Sequence, residues 1–150
     1  MDQQRPQVGV GIIVLKREGG KTFVMLHQRK GTHGPGYWGS GGGHLELGES
    51  LEGGALRELG EEAGEQLEVS NVRFLGVMNF TEFEPKHYVD ISFVADWLSG
   101  EPMNGAPDET TDWQWFAIDD LPEPLFPPVK TYLEALQTGQ NFFDASFKGM

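Results

Sequence analysis

Short apolar runs alternate along this chain with glycine-rich or charged stretches, and their periods differ from one part to the next. Residues 8–15 are apolar and largely β-branched. A charged turn holding Gly19 and Gly20 follows, then a second apolar run over residues 22–26. That order predicts a β-hairpin. Residues 29–43 start basic and become rich in glycine, which predicts a loop with a short strand near Tyr37 and Trp38. Over residues 50–63 the apolar positions Leu51, Ala55, Leu56, Leu59 and Ala63 recur at helical spacing, with Ser50 placed to cap the start and Gly64 to end it. Gly53 and Gly54 each cost this helix about 0.5–1 kcal/mol relative to alanine, so packing or a ligand must hold it. Further strands are predicted over residues 72–80, 87–98 and 113–118, and a helix over 129–137. Residues 99–110 have loop composition, and Pro122, Pro124, Pro127 and Pro128 punctuate a second loop. No internal repeat is visible. The order β-β-loop-α-β-β-β-α predicts helices packed on a mixed sheet, an α/β (α+β) sandwich.

The 150 residues are expected to form one domain, with short tails at 1–7 and 139–150. There is no cysteine, which excludes thiol catalysis, thiolate metal sites and disulfides. Apolar runs are too short to cross a bilayer, and the first six residues lack an apolar signal core, so a cytoplasmic protein with no membrane partner is expected. The formal net charge is −12, which disfavours nucleic acid as a partner. Its distribution is more informative. Residues 1–45 carry six bases and two acids, whereas residues 46–65 carry seven glutamates and a single base, Arg57. Of the 21 glycines, eight fall between Gly31 and Gly48, immediately ahead of the acidic block.

Within that block Glu58, Glu61 and Glu62 stand at i, i+3 and i+4, which puts three like charges on one helix face. A solvated acidic face is the ordinary account of a pair such as Glu61 and Glu62. Adding Glu58, the glycine-rich approach and the lone Arg57 favours a site instead. A hard dication such as Mg²⁺ takes carboxylate and phosphate oxygens and would remove the repulsion. Arg57 has Glu49 and Glu61 within reach for a forked ion pair. Glycines leading into a helix N-terminus let backbone amides approach an anion. Together these describe a diphosphate site.

The spacing of Gly43, Glu49, Arg57-Glu58-Leu59, Glu61-Glu62 and Gly64 resembles the Nudix box, G-x5-E-x7-R-E-U-x-E-E-x-G-U, where U is apolar. Two positions depart from the family pattern. Glu65 stands where the last U belongs, and Gly41 replaces a proline usual before the two glycines. Gln28-Arg29-Lys30-Gly31-Thr32-His33-Gly34, Gly42-Gly43-His44-Leu45-Glu46, His87-Tyr88-Val89 and Asp112-Trp113-Gln114-Trp115 resemble the MutT-like nucleoside-triphosphate diphosphatases, so the likeness covers most of residues 8–138.

The resemblance implies an α/β/α sandwich around a central mixed β-sheet. It also implies Mg²⁺-dependent hydrolysis (with Mn²⁺ as a substitute) of a nucleoside diphosphate linked to a further group, and a homodimer as a common state. In the MutT-like branch a nucleoside triphosphate gives the monophosphate and pyrophosphate. Position in the box makes Glu58 and Glu62 the first metal ligands, Glu61 the third, and the Gly43 carbonyl a fourth donor. Any of the three glutamates can serve as general base. Glu49 and Arg57 are expected to orient them. Arg29, aided by Gln28 and Lys30, is the phosphate-binding candidate, with Gly42, Gly43 and His44 beside it.

Phe126 to Val129 is the stretch that lies against the nucleobase in that branch. Here Pro127 and Pro128 remove amide donors, so base selectivity is expected to be loose. His27, His33 and His87 read as surface or strand histidines. Asp108 and Glu109 read as solvated loop residues, and Trp38, Trp113 and Trp115 as core. Competing readings are an ADP-ribose, ADP-sugar or dinucleotide pyrophosphatase and a non-catalytic nucleotide-sensing module. Against the first, Pro85 sits in hairpin-like surroundings between Glu84 and Lys86. Against the second, every acid of the box is kept.

Overall fold

The computed structural model describes residues 5–31, 35–81 and 87–144. The ends of the two expected tails, the Thr32-His33-Gly34 triplet, and Glu84, Pro85 and Lys86 lie outside the described residues.

The element order is β1 (Gln7–Glu18), β2 (Lys21–Gln28), β3 (Trp38–Gly39), β4 (Gly41–His44), α1 (Leu51–Ala63), β5 (Glu68–Phe80), β6 (Tyr88–Ser99), β7 (Gln114–Ala117), α2 (Pro127–Thr138) and β8 (Phe142–Phe143). Among the described residues the strands join into one mixed sheet with the path β3-β2-β1-β6-β5-β8; β4 pairs with β1 and β7 with β2. Strand β1 changes its antiparallel partner along its length. Its second half pairs with β2 from Leu15↔Val24 onward, and its first half pairs with β4 from Gly9↔His44 to Ile12↔Gly41. Along its other edge β1 runs parallel to β6.

Alternation along β1 sorts its side chains between two cores. Val10, Ile12 and Val14 pack with Ala55, Leu59 and Ala63 of α1. Ile13 and Leu15 pack with Val129, Tyr132 and Leu133 of α2 on the opposite face. This is the expected sandwich of helices about a central mixed sheet. The Ser50 hydroxyl caps α1 by accepting from Gly53 N at 3.0 Å, and Gly64 closes it at φ 87°. Loop 99–112 then covers the helix end: Met103 N donates to the Ala63 carbonyl, and Gly105 N and Trp113 Nε1 both donate to that of Glu62. Carbonyls that a helix C-terminus leaves unpaired are thereby satisfied.

Pro127 and Pro128, expected as loop, open α2, where a proline's missing N–H costs no helical bond, and β5 starts at Glu68 rather than at residue 72. Two further stretches differ from the sequence expectation. Gly41–His44, expected as loop, is strand β4, because its backbone groups find β1 even though its side chains carry no pattern. Phe142 and Phe143, expected within a C-terminal tail, pair in parallel with Val77 and Met78 of β5.

Candidate active site

Where β2 leaves β1 and β4 takes its place, the sheet opens into a cleft of about 490 Å³. One end is lined by Gly41, Gly42, Gly43 and Glu62, and a flank by Arg29 and Glu109. Phe126, Pro128, Val129 and Tyr132 cover the α2 side. The residues singled out from the acidic block therefore divide. Glu62 faces the cleft, while Glu49, Arg57, Glu58 and Glu61 form an ion-pair network where α1 meets β4 and the loop before the helix.

Arg57 organises that network. Its Nε donates to Glu49 at 2.6 Å and its Nη2 to the other Glu49 oxygen at 3.1 Å. Nη1 reaches Glu58 and Glu61, both at 3.0 Å, and Nη2 also donates to the His44 carbonyl at 3.0 Å. Both expected partners of Arg57, Glu49 and Glu61, are thus engaged. Hydrogen bonding from Arg57 holds the Glu49 carboxyl below the usual carboxylate range, and Glu49 in turn raises the guanidinium. Glu49 further accepts from Glu46 N at 2.8 Å, a bond within the loop, so that Arg57 through Glu49 ties the loop before α1 to the helix.

Glu62 stands in a different environment. Its Oε1 accepts from Gly42 N at 2.8 Å. Burial pushes its carboxyl up to about 8, with Glu58 and Glu109 adding to the push while the Gly42 amide and Arg29 oppose it. The Glu58 carboxyl lies directly on the Gly43 backbone, where a Cβ would overlap it. Its side chain is 15% exposed, against 60% for Glu61. Among the described residues no three acidic or histidine side chains converge into a finished metal cage. The donor set nonetheless suits a hard dication. Two half-buried carboxylates that disfavour each other flank a glycine backbone at the cleft mouth, and Mg²⁺ characteristically takes one or two carboxylates and completes its shell with water and phosphate.

Across the cleft, Arg29 lies over the Phe126 ring, 4.2 Å from its centroid. Burial lowers the Arg29 guanidinium and Glu62 partly restores it, so the two face each other electrostatically. Gln28, by contrast, spends its side-chain amide on the Gly36 carbonyl at 3.0 Å and does not line the cleft. Lys30 donates to the Pro107 carbonyl at 3.0 Å and likewise braces a loop. His44 borders the cleft, with Nε2 3.0 Å from Gln7 Oε1 and its ring tilted on Tyr88. Phe126 and Val129 line the cleft. The Phe126 amide is already donated to the Trp38 carbonyl at 2.8 Å, which adds to the shortage of free amides that Pro127 and Pro128 create.

Glu109, read as a solvated loop residue, is exposed yet lines the cleft near Glu62, because Lys30 N donates to its carbonyl and Arg29 bridges to Thr110. His27 is buried, stacked on Trp113 with ring centroids 3.6 Å apart, and lowered to about 4 by burial and then by Arg29. Sequence reading missed a polar group on the α2 side of the sheet, where Asp90 and Ser92 of β6 stand beside Gly9 and Gly11 of β1. Asp90 Oδ2 accepts from Tyr132 Oη at 3.0 Å and from Ser92 Oγ at 3.1 Å. Burial pushes Asp90 up to about 6 against those two hydrogen bonds. The available signal was the Gly-x-Gly alternation inside an otherwise β-branched strand, since glycine there marks a close approach.

Comparison with known proteins gives a consistent picture. The profile described as NUDIX domain matches residues 5–136. The chain is 34% identical over 119 residues to the NAD-capped RNA hydrolase NudC of Pseudomonas aeruginosa, covering 79% of this chain and 40% of that protein. It spans less than half the length of such NudC relatives. It is 31% identical over 127 residues to the oxidized purine nucleoside triphosphate hydrolase of Mus musculus, covering 83% of this chain and 78% of that one. The crystal structure of a MutT NUDIX hydrolase from Burkholderia pseudomallei superposes with a TM-score of 0.77 at 32% identity, covering 87% of this chain and 98% of that chain. No helix among the described residues is long and apolar enough to cross a membrane.

Proposed function

The chain belongs to the NUDIX domain family, and from that premise we propose that it hydrolyses a nucleoside diphosphate linked to a further group, with Mg²⁺ as cofactor and Mn²⁺ as a substitute. The leading substrate class is a (deoxy)nucleoside triphosphate, plain, oxidised or otherwise modified, cut to the monophosphate and pyrophosphate. The observation that carries this reading is the joint placement of Glu62 and Arg29 in one cleft, with Phe126 beside them.

In this reading Glu58, Glu61, Glu62 and the Gly43 carbonyl hold the metal, which when bound neutralises phosphate charge and acidifies water. Arg57 and Glu49 position the carboxylates of α1. Arg29 pairs with phosphate oxygens, and Gly42, Gly43 and His44 border the phosphate tail. Water forms the new P–O bond as the bond to the pyrophosphate oxygen breaks, and a box carboxylate takes the water proton.

A panel of nucleoside triphosphates assayed for pyrophosphate release with Mg²⁺, with Glu62→Gln as control, tests this. Release that disappears in the variant is expected. Unchanged turnover by Glu62→Gln removes the metal-ligand role, and an inactive unmodified chain that still binds nucleotides is a sensing module. A second reading, hydrolysis of an NAD-like dinucleotide, is favoured by the 34% identity to NudC. With a formal net charge of −12 the chain itself repels an RNA body, so the free dinucleotide is the form to assay. Including NAD in the panel, with AMP as the detected product, separates the two.

A further inference from the structure

Beneath α2 the sheet has a floor without side chains. Val10 and Ile12 point to α1, so Gly9 and Gly11 occupy the alternate positions that face the cleft. The parallel register sets Gly9 beside Asp90 and Gly11 beside Ser92. A Cβ on Gly9 would stand 3.0 Å from Asp90 Oδ1, and one on Gly11 would stand 3.1 Å from Ser92 Oγ. Both glycines thus keep a flat slot open, with the two polar side chains along its edge. Phe126, Pro128 and Val129 supply an apolar wall. A flat heterocycle between apolar walls, with polar groups at one edge, suits such a space.

The polar edge has a direction. Tyr132 and Ser92 both donate to Asp90 Oδ2, and the described residues supply no hydrogen-bond donor to Oδ1. An acceptor is therefore presented to whatever lies over Gly9. Building on the reading of the cleft as a nucleotide site, we propose that Asp90 determines base specificity, its Oδ1 accepting an N–H from the amino-bearing edge of a nucleobase seated over Gly9 and Gly11. Cytosine offers an exocyclic amine at the position where uracil has a carbonyl oxygen. That oxygen would meet Oδ1 as acceptor against acceptor, leaving both groups unpaired and desolvated. The selectivity lost with the amides before α2 is thus recovered at β6.

Asp90→Asn changes the direction of the edge with almost no change in shape. The two hydroxyl donors hold the amide oxygen where Oδ2 was, which turns the amide NH₂ toward the slot. Two readouts are compared in the unmodified chain and the variant: kcat/KM for CTP against UTP with Mg²⁺, and equilibrium binding of CMP against UMP. Because each is a ratio, a lower folded fraction cancels.

The unmodified chain is expected to favour cytosine on the order of 10- to 100-fold in both, carried by KM and Kd, the range expected for a hydrogen bond to a charged group. Asp90→Asn is expected to abolish or invert that preference. Gly9→Ala, whose methyl presses on Oδ1, is expected to level it without the amide. Equal binding of CMP and UMP by the unmodified chain overturns the proposal, as does a ratio that Asp90→Asn leaves unchanged. Absence of triphosphate turnover together with an Asp90-dependent CMP preference overturns the hydrolase reading alone and upholds the role of Asp90.

Discussion

The Arg57 guanidinium grips both oxygens of Glu49 through Nε and Nη2, a forked geometry that lysine cannot copy. With Nη1 on Glu58 and Glu61, one side chain fixes three carboxylates from two segments. Arg57→Lys keeps the charge and loses the fork. A drop in kcat on the order of 100-fold is expected from the misplaced carboxylates, with an unchanged far-ultraviolet spectrum. Steady-state kinetics beside circular dichroism check it.

Gly42 and Gly43 are neighbours with opposite expected responses to alanine. A Cβ on Gly42 would stand 2.7 Å from the Val10 carbonyl oxygen and 3.1 Å from Gly11 Cα, and neither backbone can yield. Gly42→Ala is expected to lose about 1–3 kcal/mol of stability by overpacking. The nearest neighbour of a Cβ on Gly43 is the Glu58 carboxyl, the far end of a side chain that can swing away. Gly43→Ala is expected to keep its melting temperature and lose turnover. Thermal melts and pyrophosphate release on both variants separate the two cases.

His27 makes the fold sensitive to acid. Its folded value, about 4, lies below the 6.5 of the free side chain. Between those values the unfolded chain takes up a proton that the folded chain refuses, so this contribution falls as pH drops from 6.5 toward 4 and is constant above 6.5. The full difference amounts to about 3 kcal/mol. Glu62 and Asp90, both raised, act in the opposite direction, so the variant-minus-parent comparison isolates the histidine. His27→Phe preserves the stack on Trp113, and its stability relative to the parent is expected to improve between pH 7 and pH 4.5. Denaturant titrations at the two pH values measure this.

Arg29 faces the cleft over Phe126 and opposite Glu62. Removing it as Arg29→Ala is expected to raise KM for a triphosphate roughly 10- to 100-fold, the range for a hydrogen bond to a charged group. A comparable loss in kcat with KM unchanged would place Arg29 on the transition state instead.

Helix α1 and its carboxylates were legible in the sequence because period, cap and stop all act locally: Leu51 to Ala63, Ser50 and Gly64 each mark their own position. Strand β4 was not, because Gly41-Gly42-Gly43-His44 becomes a strand only through what β1 offers it. Glu109 was read as a solvated loop residue, and Asp90 was missed, for the same reason. Glu109 reaches the cleft through a bridge from Arg29 to Thr110, and Asp90 through parallel pairing with a strand far away in sequence, at the start of the chain. Gln28, expected at the phosphates from its proximity to Arg29, has its amide on the Gly36 carbonyl, because alternation along β2 turns it away from the face that His27 shares with the cleft.

Strand β1 also carries a kinetic consequence. Its antiparallel neighbours β2 and β4 leave the ribosome early, whereas its parallel neighbour β6 starts only at Tyr88. A nascent chain ending before that residue already holds every glutamate of the acidic helix, yet one edge of β1 has no partner and the slot under Gly9 has no Asp90 wall. Pairing of two parallel strands so far apart in the chain is slow. The carboxylates of α1 are thus synthesised well before the wall of the cleft that Asp90 and Ser92 form, and the cleft is complete only once β6 has paired with β1.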